Sequence, residues 1–213
     1  MPRPLPPRVM ASTDGQPDAV RHHLVDSAYR VIARDGLVGA TTRAIAEEAG
    51  VGVGTLYNYF NDRRDLVVAA LLRRAHLASE PLHQMASRAG SATVAANLHR
   101  AAGEVGAILS DLVPLFAAAF SDVELLEALR RAITSAELPH GPFEVHPLES
   151  YLMAERELGR VAADADCRAA ASLVLSLCHE GAFLQFLQGT KSAPKAVDDE
   201  IDLIAAAISP PGA

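Results

Sequence analysis

The sequence lacks the cysteines that a disulfide-stabilised secreted protein carries. It contains only Cys167 and Cys178 in 213 residues. They lie eleven positions apart in a stretch that predicts one helix, and a helix separates two such residues by about 16 Å. Because the Cα atoms of a disulfide lie within about 7 Å of each other, the two cannot pair within one chain. We expect buried free thiols in a reducing compartment.

Long apolar runs are also missing. A membrane span needs roughly 20 consecutive apolar residues, and the uninterrupted runs, such as LFAAAF at 115–120, are much shorter. Arg3 and Arg8 stand near the start, but no apolar segment follows them that could serve as the core of a signal peptide. We therefore expect a cytoplasmic protein without a membrane partner. The composition of its ends predicts disordered tails at 1–18 and 209–213.

Motifs of common enzymes are absent as well. The glycines of GVGVGTLYNYF at 50–60 suggest a nucleotide-binding loop. A Gly-x-Gly-x-x-Gly match, however, needs a glycine where this chain has a threonine or a tyrosine, and a strand where it has a helical pattern. His179 and Glu180 begin like the zinc-protease motif His-Glu-x-x-His, but Phe183 stands at its last position. With no Gly-x-Ser-x-Gly segment either, we expect no catalytic residue, no cofactor and no metal site.

The net charge of −7 is unevenly distributed along the chain. Residues 19–75 carry eight arginines against six acidic residues, whereas residues 76–213 carry nine basic and eighteen acidic side chains. A mildly basic N-terminal part is therefore attached to an acidic body. This asymmetry indicates that the first part contacts phosphate and the second does not.

The apolar periodicity predicts an all-α protein. Apolar residues recur at helical spacing from Leu24 to Ile32 and predict a first helix over about 19–35, which Gly36 ends. No segment alternates as a β-strand does. Further helices are predicted near 91–112, 114–120, 122–136, 147–158, 165–188 and 196–207.

The segment after the first helix predicts a helix-turn-helix. A second helix is expected over 42–49 and a short third helix over about 53–60. Two helices that cross closely need a small residue at the contact, a glycine at the turn and an apolar residue in the second helix. Ala46, Gly50 and Leu56 occupy these three places.

Two polar residues indicate helix starts in this region. Thr41 precedes the second helix as an N-cap. Asp62 stands three residues before Asp65 and predicts a capping box at the start of a long fourth helix, DLVVAALLRRAHL.

Burial of Leu56 and Phe60 turns their neighbours outward. Exposed tyrosines offer hydroxyls to phosphates and rings to sugars or thymine methyl groups, although Tyr57 and Tyr59 could instead fill the junction with the fourth helix. Backbone amides at the start of the third helix can also bind phosphate. Arg63 is a cation where the helix dipole favours an acid, which indicates either an external anion or a solvated side chain. The predicted DNA contacts are Thr41, Thr42, Arg43, Gly52, Val53, Thr55, Tyr57, Asn58, Tyr59 and Arg63.

The run at 24–71 resembles the DNA-binding domain of the tetracycline-repressor (TetR) family of bacterial regulators. The shared elements are the first-helix stripe closed by Gly36, the TTRAIA segment, the AGV turn, GTLYNYF and the pattern F-x-x-R-x-x-L. The family often has Ser and Lys where this chain has Gly52 and Val53, so a lysine–phosphate contact is not expected there. The resemblance implies a homodimer that represses transcription from a pseudo-palindromic duplex operator, and a C-terminal domain whose small-molecule effector releases the DNA.

On this basis we expect a helix-turn-helix domain at 19–62 and a larger effector-binding and dimerisation domain at 63–208. Helices within 165–208 are apolar on more than one face, which indicates either a dimer interface or the core helix of a monomer. A charge at Val174 or Leu175 is expected to yield monomers. The predicted pocket residues, for a mainly apolar and neutral or cationic effector, are Leu109, Leu112, Phe116, Phe120, Tyr151, His179 and Phe183. The alternatives are a metal-responsive regulator, a constitutive DNA binder, and a helical interaction module without DNA.

Overall fold

A computed structural model of the chain describes residues 16–134, 146–190 and 195–211. These residues form helices and connecting turns, with no strand among them, so the predicted all-α fold is confirmed. The elements are α1 (Pro17–Gly39), α2 (Thr42–Glu48), α3 (Val53–Leu56), α4 (Arg63–His83), a 3₁₀ helix (Met85–Arg88), α5 (Val94–Phe120), α6 (Val123–Thr134), α7 (His146–Glu157), α8 (Cys167–Gln188) and α9 (Lys195–Ala207).

The predicted N-terminal tail is shorter than expected at its described end. Residues 1–15 and 212–213 lie outside the described residues. Pro17 and Asp18, assigned to the first tail, begin α1, because proline presets the helical φ and donates no hydrogen bond that the first turn needs.

The chain divides into two compact units. Its described parts are 16–74 with 115–134 in the first unit, and 75–114 with 146–190 and 195–211 in the second. The sequence placed this division between residues 62 and 63. The division lies later because α4 buries Leu66, Val67 and Leu71 in the core of the first unit. Helix α6 adds Leu125 and Leu129 to the same core.

Helix α1 forms the centre of the first unit. Its predicted stripe from Leu24 to Ile32 is buried. Gly36 has a φ of +72° and interrupts the helical backbone, as the sequence indicates, and the helical residues beyond it end at Gly39. The predicted end of the first helix at residue 35 is therefore confirmed, and residues 37–39 form a separate short turn beyond the kink.

The two predicted helix caps of the first unit are present. The Thr41 hydroxyl accepts a hydrogen bond from the amide of Ala44 at 3.2 Å. The Asp62 carboxylate accepts from the amide of Asp65 at 2.9 Å. In a capping box, the Asp65 carboxylate would accept a second hydrogen bond from the amide of Asp62. Here it accepts instead from the amide of the preceding residue, Asn61, at 3.1 Å.

Helix α5 runs without a break where the sequence predicted two helices. We expected separate helices at 91–112 and 114–120, yet Pro114 lies inside Val94–Phe120. A proline inside a helix removes one backbone hydrogen bond and costs about 3 kcal/mol. Leu109, Leu112 and Ala119 are buried on both sides of the proline, so packing along the helix outweighs this local cost.

The second unit packs α5, α7, α8 and α9 around one apolar core. Its centre contains Leu98, Tyr151, Val174 and Ile201. Helix α8 begins at an N-cap, Asp166, whose carboxylate accepts from the amide of Ala169 at 2.9 Å. The same core therefore includes residues far apart in sequence.

Two helices have the length and composition of a membrane span. These are α5 and α8, with mean hydropathies of 1.5 and 1.4. Single polar residues divide both helices, so neither contains the long uninterrupted apolar run by which the sequence would have indicated a span. Core helices of soluble proteins pass the same test, and both helices supply buried residues to the second unit.

The thiol of Cys178 is predicted to be inert in the folded protein. It is buried beside the carbonyl oxygen of Ala102, and burial raises its pKa to about 12. At pH 8 only about one thiol in ten thousand is then a thiolate, the reactive form. In the Cys167→Ser variant, which isolates Cys178, we expect no reaction with a disulfide reagent until guanidinium chloride unfolds the chain. Rapid labelling of the native variant would contradict this burial.

Candidate nucleic-acid interface

The turn between α2 and α3 brings the two helices into close contact. Gly50 has a φ of +67°, in the left-handed region that favours glycine. The amide of Val51 donates to the carbonyl of Ala46 at 2.9 Å, which closes the turn. Ala46 and Leu56 are both buried. The predicted helix-turn-helix is therefore confirmed at its three defining positions.

Helix α3 is shorter than the sequence indicated. It ends at Leu56, and residues 57–59 form a turn in which the amide of Phe60 still donates to the carbonyl of Leu56 at 3.0 Å. Leu56 and Phe60 are buried as predicted.

The side chains of this recognition segment, residues 52–59, differ in exposure. Tyr57 is 55% exposed and Asn58 is also exposed. Thr55 is half-buried, and Tyr59 is half-buried against the core of the first unit. Packing at the junction with α4 therefore explains the partial burial of Tyr59, but it does not explain the presence of the exposed Tyr57.

The first turn of α2 also lies at the surface. Thr41 and Arg43 are exposed, while Thr42 is half-buried. The three side chains that the sequence assigned to DNA at this turn are thus accessible, and Thr41 serves additionally as the N-cap of α2.

The start of α3 is an open surface without charge. Gly52, Val53 and Gly54 are exposed, and a Cβ atom added to either glycine meets no atom within 4 Å. Neither glycine has a positive φ. Backbone conformation and packing within the protomer therefore do not require glycine here. Glycine is also common where another molecule approaches the backbone closely, and a DNA contact at this surface stays a prediction. Gly54, which was not among the predicted DNA contacts, belongs to the same open surface.

Arg63 has partners inside the first unit. Its Nε donates to the carbonyl of Ala40 at 2.7 Å, and its Nη2 donates to the carbonyl of Leu37. These bonds satisfy carbonyl groups at the end of α1. They give an internal reason for a cation where the sequence suggested an external anion, and a phosphate contact by Arg63 stays a prediction.

A pair of arginines on α1 binds the end of α2. Nε of Arg30 donates to Oε1 of Glu48 at 2.8 Å, and Nη1 of Arg34 donates to Oε2 at 2.9 Å. Arg30 first, and then Arg34, hold the pKa of the Glu48 carboxyl below its usual range. Because the pKa of this carboxyl is lower in the folded protein, its ion pairs stabilise the fold at pH values above the pKa of glutamate in the unfolded chain, about 4.3. This stabilisation is lost as the pH falls through the lower pKa of the folded protein. It is small, because the groups are partly exposed.

Arginines of α4 are similarly occupied. Arg73 donates to Asp26 on α1, with an Nε–Oδ1 distance of 2.6 Å. Arg74 donates to the hydroxyl of Tyr29 at 3.1 Å. Arg64 pairs with Glu124 of α6. These contacts hold the first turns of α4 to the rest of the first unit.

The helix-turn-helix and the helices around it match a known family. The family of bacterial regulatory proteins called tetR matches residues 24–70, from α1 into α4. The chain belongs to the TetR family. It is accordingly a DNA-binding transcriptional regulator of a non-enzymatic family.

Similarity to TetR-family proteins extends over most of the chain. The chain is 28% identical to the HTH-type transcriptional regulator BetI of Paraburkholderia phymatum over 206 aligned residues. The alignment covers 90% of this chain and 96% of that protein. A TetR-family regulator from Mesorhizobium loti has a TM-score of 0.74 at 19% identity and covers 90% of this chain and 98% of that one. The regulator FadR of Bacillus subtilis, in complex with stearoyl-CoA, has a TM-score of 0.60 at 19% identity, with coverages of 88% and 98%. Both of these solved structures have the same fold as this chain.

In this TetR-family chain, α8 has one buried and one exposed face. The core face contains Val174, which is fully buried, and Leu175. The opposite face exposes large apolar side chains, and α9 exposes another: Leu173, Phe183, Phe186, Leu187 and Leu203. A charge at Val174 or Leu175, the positions that the sequence suggested, would thus disrupt the protomer core rather than a surface. We call the exposed set of five residues the α8–α9 apolar face.

The predicted effector residues of the TetR-family chain do not share one environment. Leu109 and Tyr151 are buried in the core of the second unit, and Leu112 is also buried. His179 is half-buried, with Nδ1 at 2.7 Å from the carbonyl oxygen of Leu175. Burial raises the pKa of Tyr151 above its usual range, so its hydroxyl stays protonated.

The three predicted pocket phenylalanines lie elsewhere. Phe116 packs, half-buried, against the core of the first unit. Phe120 is 61% exposed, and Phe183 is 51% exposed on the α8–α9 apolar face. Their apolar character suggested a pocket, but the direction of each side chain depends on helix packing that sequence spacing did not reveal. The seven residues therefore differ in exposure and belong to different units, and their role in an effector pocket stays a prediction.

Proposed function

We propose that the chain is a cytoplasmic repressor that binds a pseudo-palindromic operator as a homodimer and is released by a small, mainly apolar effector. The observation that carries the DNA part is the uncharged, open surface of Gly52 to Asn58 on a complete helix-turn-helix. An uncharged surface can contact base edges and fit the shape of the groove. The affinity for DNA then depends on cationic side chains beside this surface, which bind phosphates.

Selection from random duplex DNA tests the operator. We expect an inverted repeat whose half-sites are centred about 34–36 Å apart, one helical turn, because each recognition segment of a dimer enters a successive major groove. Binding should weaken steeply with ionic strength. Enrichment of no repeat, together with no salt-sensitive retention on duplex DNA, would favour a helical interaction module.

The dimer is supported by the α8–α9 apolar face. Isolated exposed apolar residues are common, but Phe183, Phe186 and Leu187 lie within five positions of one helix, and such a group favours an interaction site. An obligate dimer buries on the order of 2,000 Å² or more, and two long helices from each protomer can supply that area. A second copy of this chain is the occupant that we propose.

Replacement of Tyr57 by phenylalanine should weaken operator binding without changing stability. The ring is retained, and only a solvent-exposed hydroxyl is removed. A hydrogen bond to an ionised phosphate contributes about 1.5–3 kcal/mol, so we expect roughly a tenfold or greater loss measured by fluorescence anisotropy. Tyr29→Phe is the control, because its hydroxyl binds Arg74 inside the unit. Equal affinities of wild type and Tyr57→Phe would assign Tyr57 to a packing role.

The effector part of the proposal rests on the second unit. Its apolar core, with Tyr151 and His179 as polar groups, suits a mainly apolar ligand. A regulator of the same fold, FadR of Bacillus subtilis, was solved with stearoyl-CoA, whose acyl chain is apolar. We propose that Leu109, Leu112, Tyr151 and His179 border the site.

A thermal-shift screen of hydrophobic small molecules tests induction. Each stabilising compound is then added to the protein–operator complex. We expect at least one to release DNA, which requires that it bind one conformation more tightly than the other. Compounds that stabilise the protein but leave operator affinity unchanged, across a broad library, would leave a constitutive DNA binder. Release by a metal ion alone would favour the metal-responsive alternative.

A further inference from the structure

Most arginines at 21–74 are occupied by partners inside the first unit. Arg30, Arg34, Arg64 and Arg73 pair with carboxylates. Arg63 binds two carbonyl groups, and Arg74 binds a tyrosine hydroxyl. Within the described ranges, only two of the eight have neither a hydrogen bond nor an ion pair: Arg21 and Arg43.

Arg21 is held in place by an aromatic ring. Its guanidinium carbon lies 5.0 Å from the ring centroid of Phe60, within the range of a cation–π contact. Phe60 directly follows the recognition segment and is itself buried in the core. The guanidinium of Arg21 therefore lies at the C-terminal end of the segment that carries Tyr57 and Asn58.

A second contact fixes the same part of α1. Nε2 of His23 lies 3.0 Å from the carbonyl oxygen of Ala49, at the turn between α2 and α3. The start of α1 is thus tied both to this turn and to the end of the recognition segment. Stacking uses only the face of the guanidinium, so the N–H groups at its edge stay available to an acceptor.

We propose that Arg21 binds a backbone phosphate of the operator beside the recognition segment. The inference rests on the proposed operator binding and adds a contact that the sequence analysis did not assign. Gly52 to Asn58 carry no charge, and phosphate affinity depends on cations. Arg21 is exposed and already oriented, so it supplies this charge at little cost in conformational entropy. The contact is independent of base sequence.

The test measures affinity for operator and for unrelated duplex DNA over a series of salt concentrations. Arg21→Gln should lower both affinities by the same factor, on the order of tenfold or more at about 0.1 M salt. Its slope of log affinity against log salt should be shallower by about 1.8, since a dimer loses two phosphate contacts worth about 0.9 each. Arg21→Lys keeps the charge and should retain most of the slope.

Arg100→Gln is the matched control. Arg100 is exposed on α5 in the second unit, and its loss changes the net charge equally. We expect the wild-type slope for this variant. Thermal melting of Arg21→Gln separates a DNA contact from a structural role, in which the side chain only covers Phe60.

Three results would overturn the assignment. One is an Arg21→Gln variant with the wild-type salt slope, whatever its melting temperature. Another is a loss confined to operator DNA with an unchanged slope, which would indicate a base contact. The third is an equal loss for Arg100→Gln. Failure of the wild-type protein to bind any duplex would instead refute the proposed function, so the two failures are distinguishable.

Discussion

Replacing Leu187 by glutamate is expected to convert the proposed dimer to a monomer and to lower the affinity for operator DNA by a factor on the order of 100 or more. Leu187 is 63% exposed in the protomer, so the substitution does not disturb a packed core. In the dimer it places two carboxylates against the α8–α9 apolar face, where burial of an unpaired charge costs several kcal/mol. Separate protomers then lose the advantage of occupying two linked half-sites, which contributes about 10²–10⁴ in affinity.

Sedimentation shows the assembly, and anisotropy with operator DNA shows the affinity. Val123→Glu is the matched control, because Val123 is an equally exposed apolar residue in the first unit. It should leave the dimer intact. A wild-type protein that sediments as a single chain at micromolar concentration would remove the dimer proposal. A Leu187→Glu dimer with full affinity would move the interface to another surface.

Replacing Gly54 by glutamine is expected to lower operator affinity by about 10- to 100-fold while leaving the melting temperature unchanged or higher. A side chain at this position meets no atom of the protomer, and glycine inside a helix is destabilising by roughly 0.5–1 kcal/mol relative to alanine. On DNA the same side chain stands between the backbone of α3 and the groove. Forced overpacking of such a contact costs about 1–3 kcal/mol.

Gly103→Gln is the control for this change. Gly103 is an exposed glycine of α5 with no atom near an added Cβ, so it gains the same helix propensity away from the recognition segment. Its operator affinity should equal that of the wild type. The interpretation of Gly54 fails if Gly54→Gln binds operator normally or if it unfolds the domain.

Local signals made the helix-turn-helix predictable. The cap at Thr41, the turn at Gly50 and the cap at Asp62 each depend on atoms within about four residues. Sequence spacing records such contacts directly. The positions of Leu56 and Phe60 on one face followed from the same spacing, and the exposure of Tyr57 followed from them.

Contacts between distant residues were not predictable. For Arg63 the sequence indicated an external anion or a solvated side chain, because its carbonyl partners at Leu37 and Ala40 lie more than twenty positions away. The faces of α8 were misassigned for a related reason. Val174 and Leu187 are equally apolar in sequence, and only packing against α5 and α7 decides which of them is buried.

The effector region was the least predictable part. The apolar residue type of Leu109 or Phe120 does not indicate whether the side chain lies in a core, a pocket or an interface. Their environments in the two units differ. Even Pro114, the strongest local helix breaker in the region, did not mark a boundary, because neighbouring packing outweighed its cost.

The internal pairing of most arginines in the first unit has a consequence for how the protein finds its site in a cell. A chromosome offers about 10⁶–10⁹ competing non-specific sites. Each unpaired cation on the protein can bind a phosphate at any of these sites and so lengthens the time that the protein stays bound there. With Arg30, Arg34 and Arg73 bound to carboxylates of their own domain, visits to unrelated sequence should be short. We expect most copies to diffuse unbound between encounters, so that few copies per cell keep the operator occupied and a released protein leaves the DNA quickly.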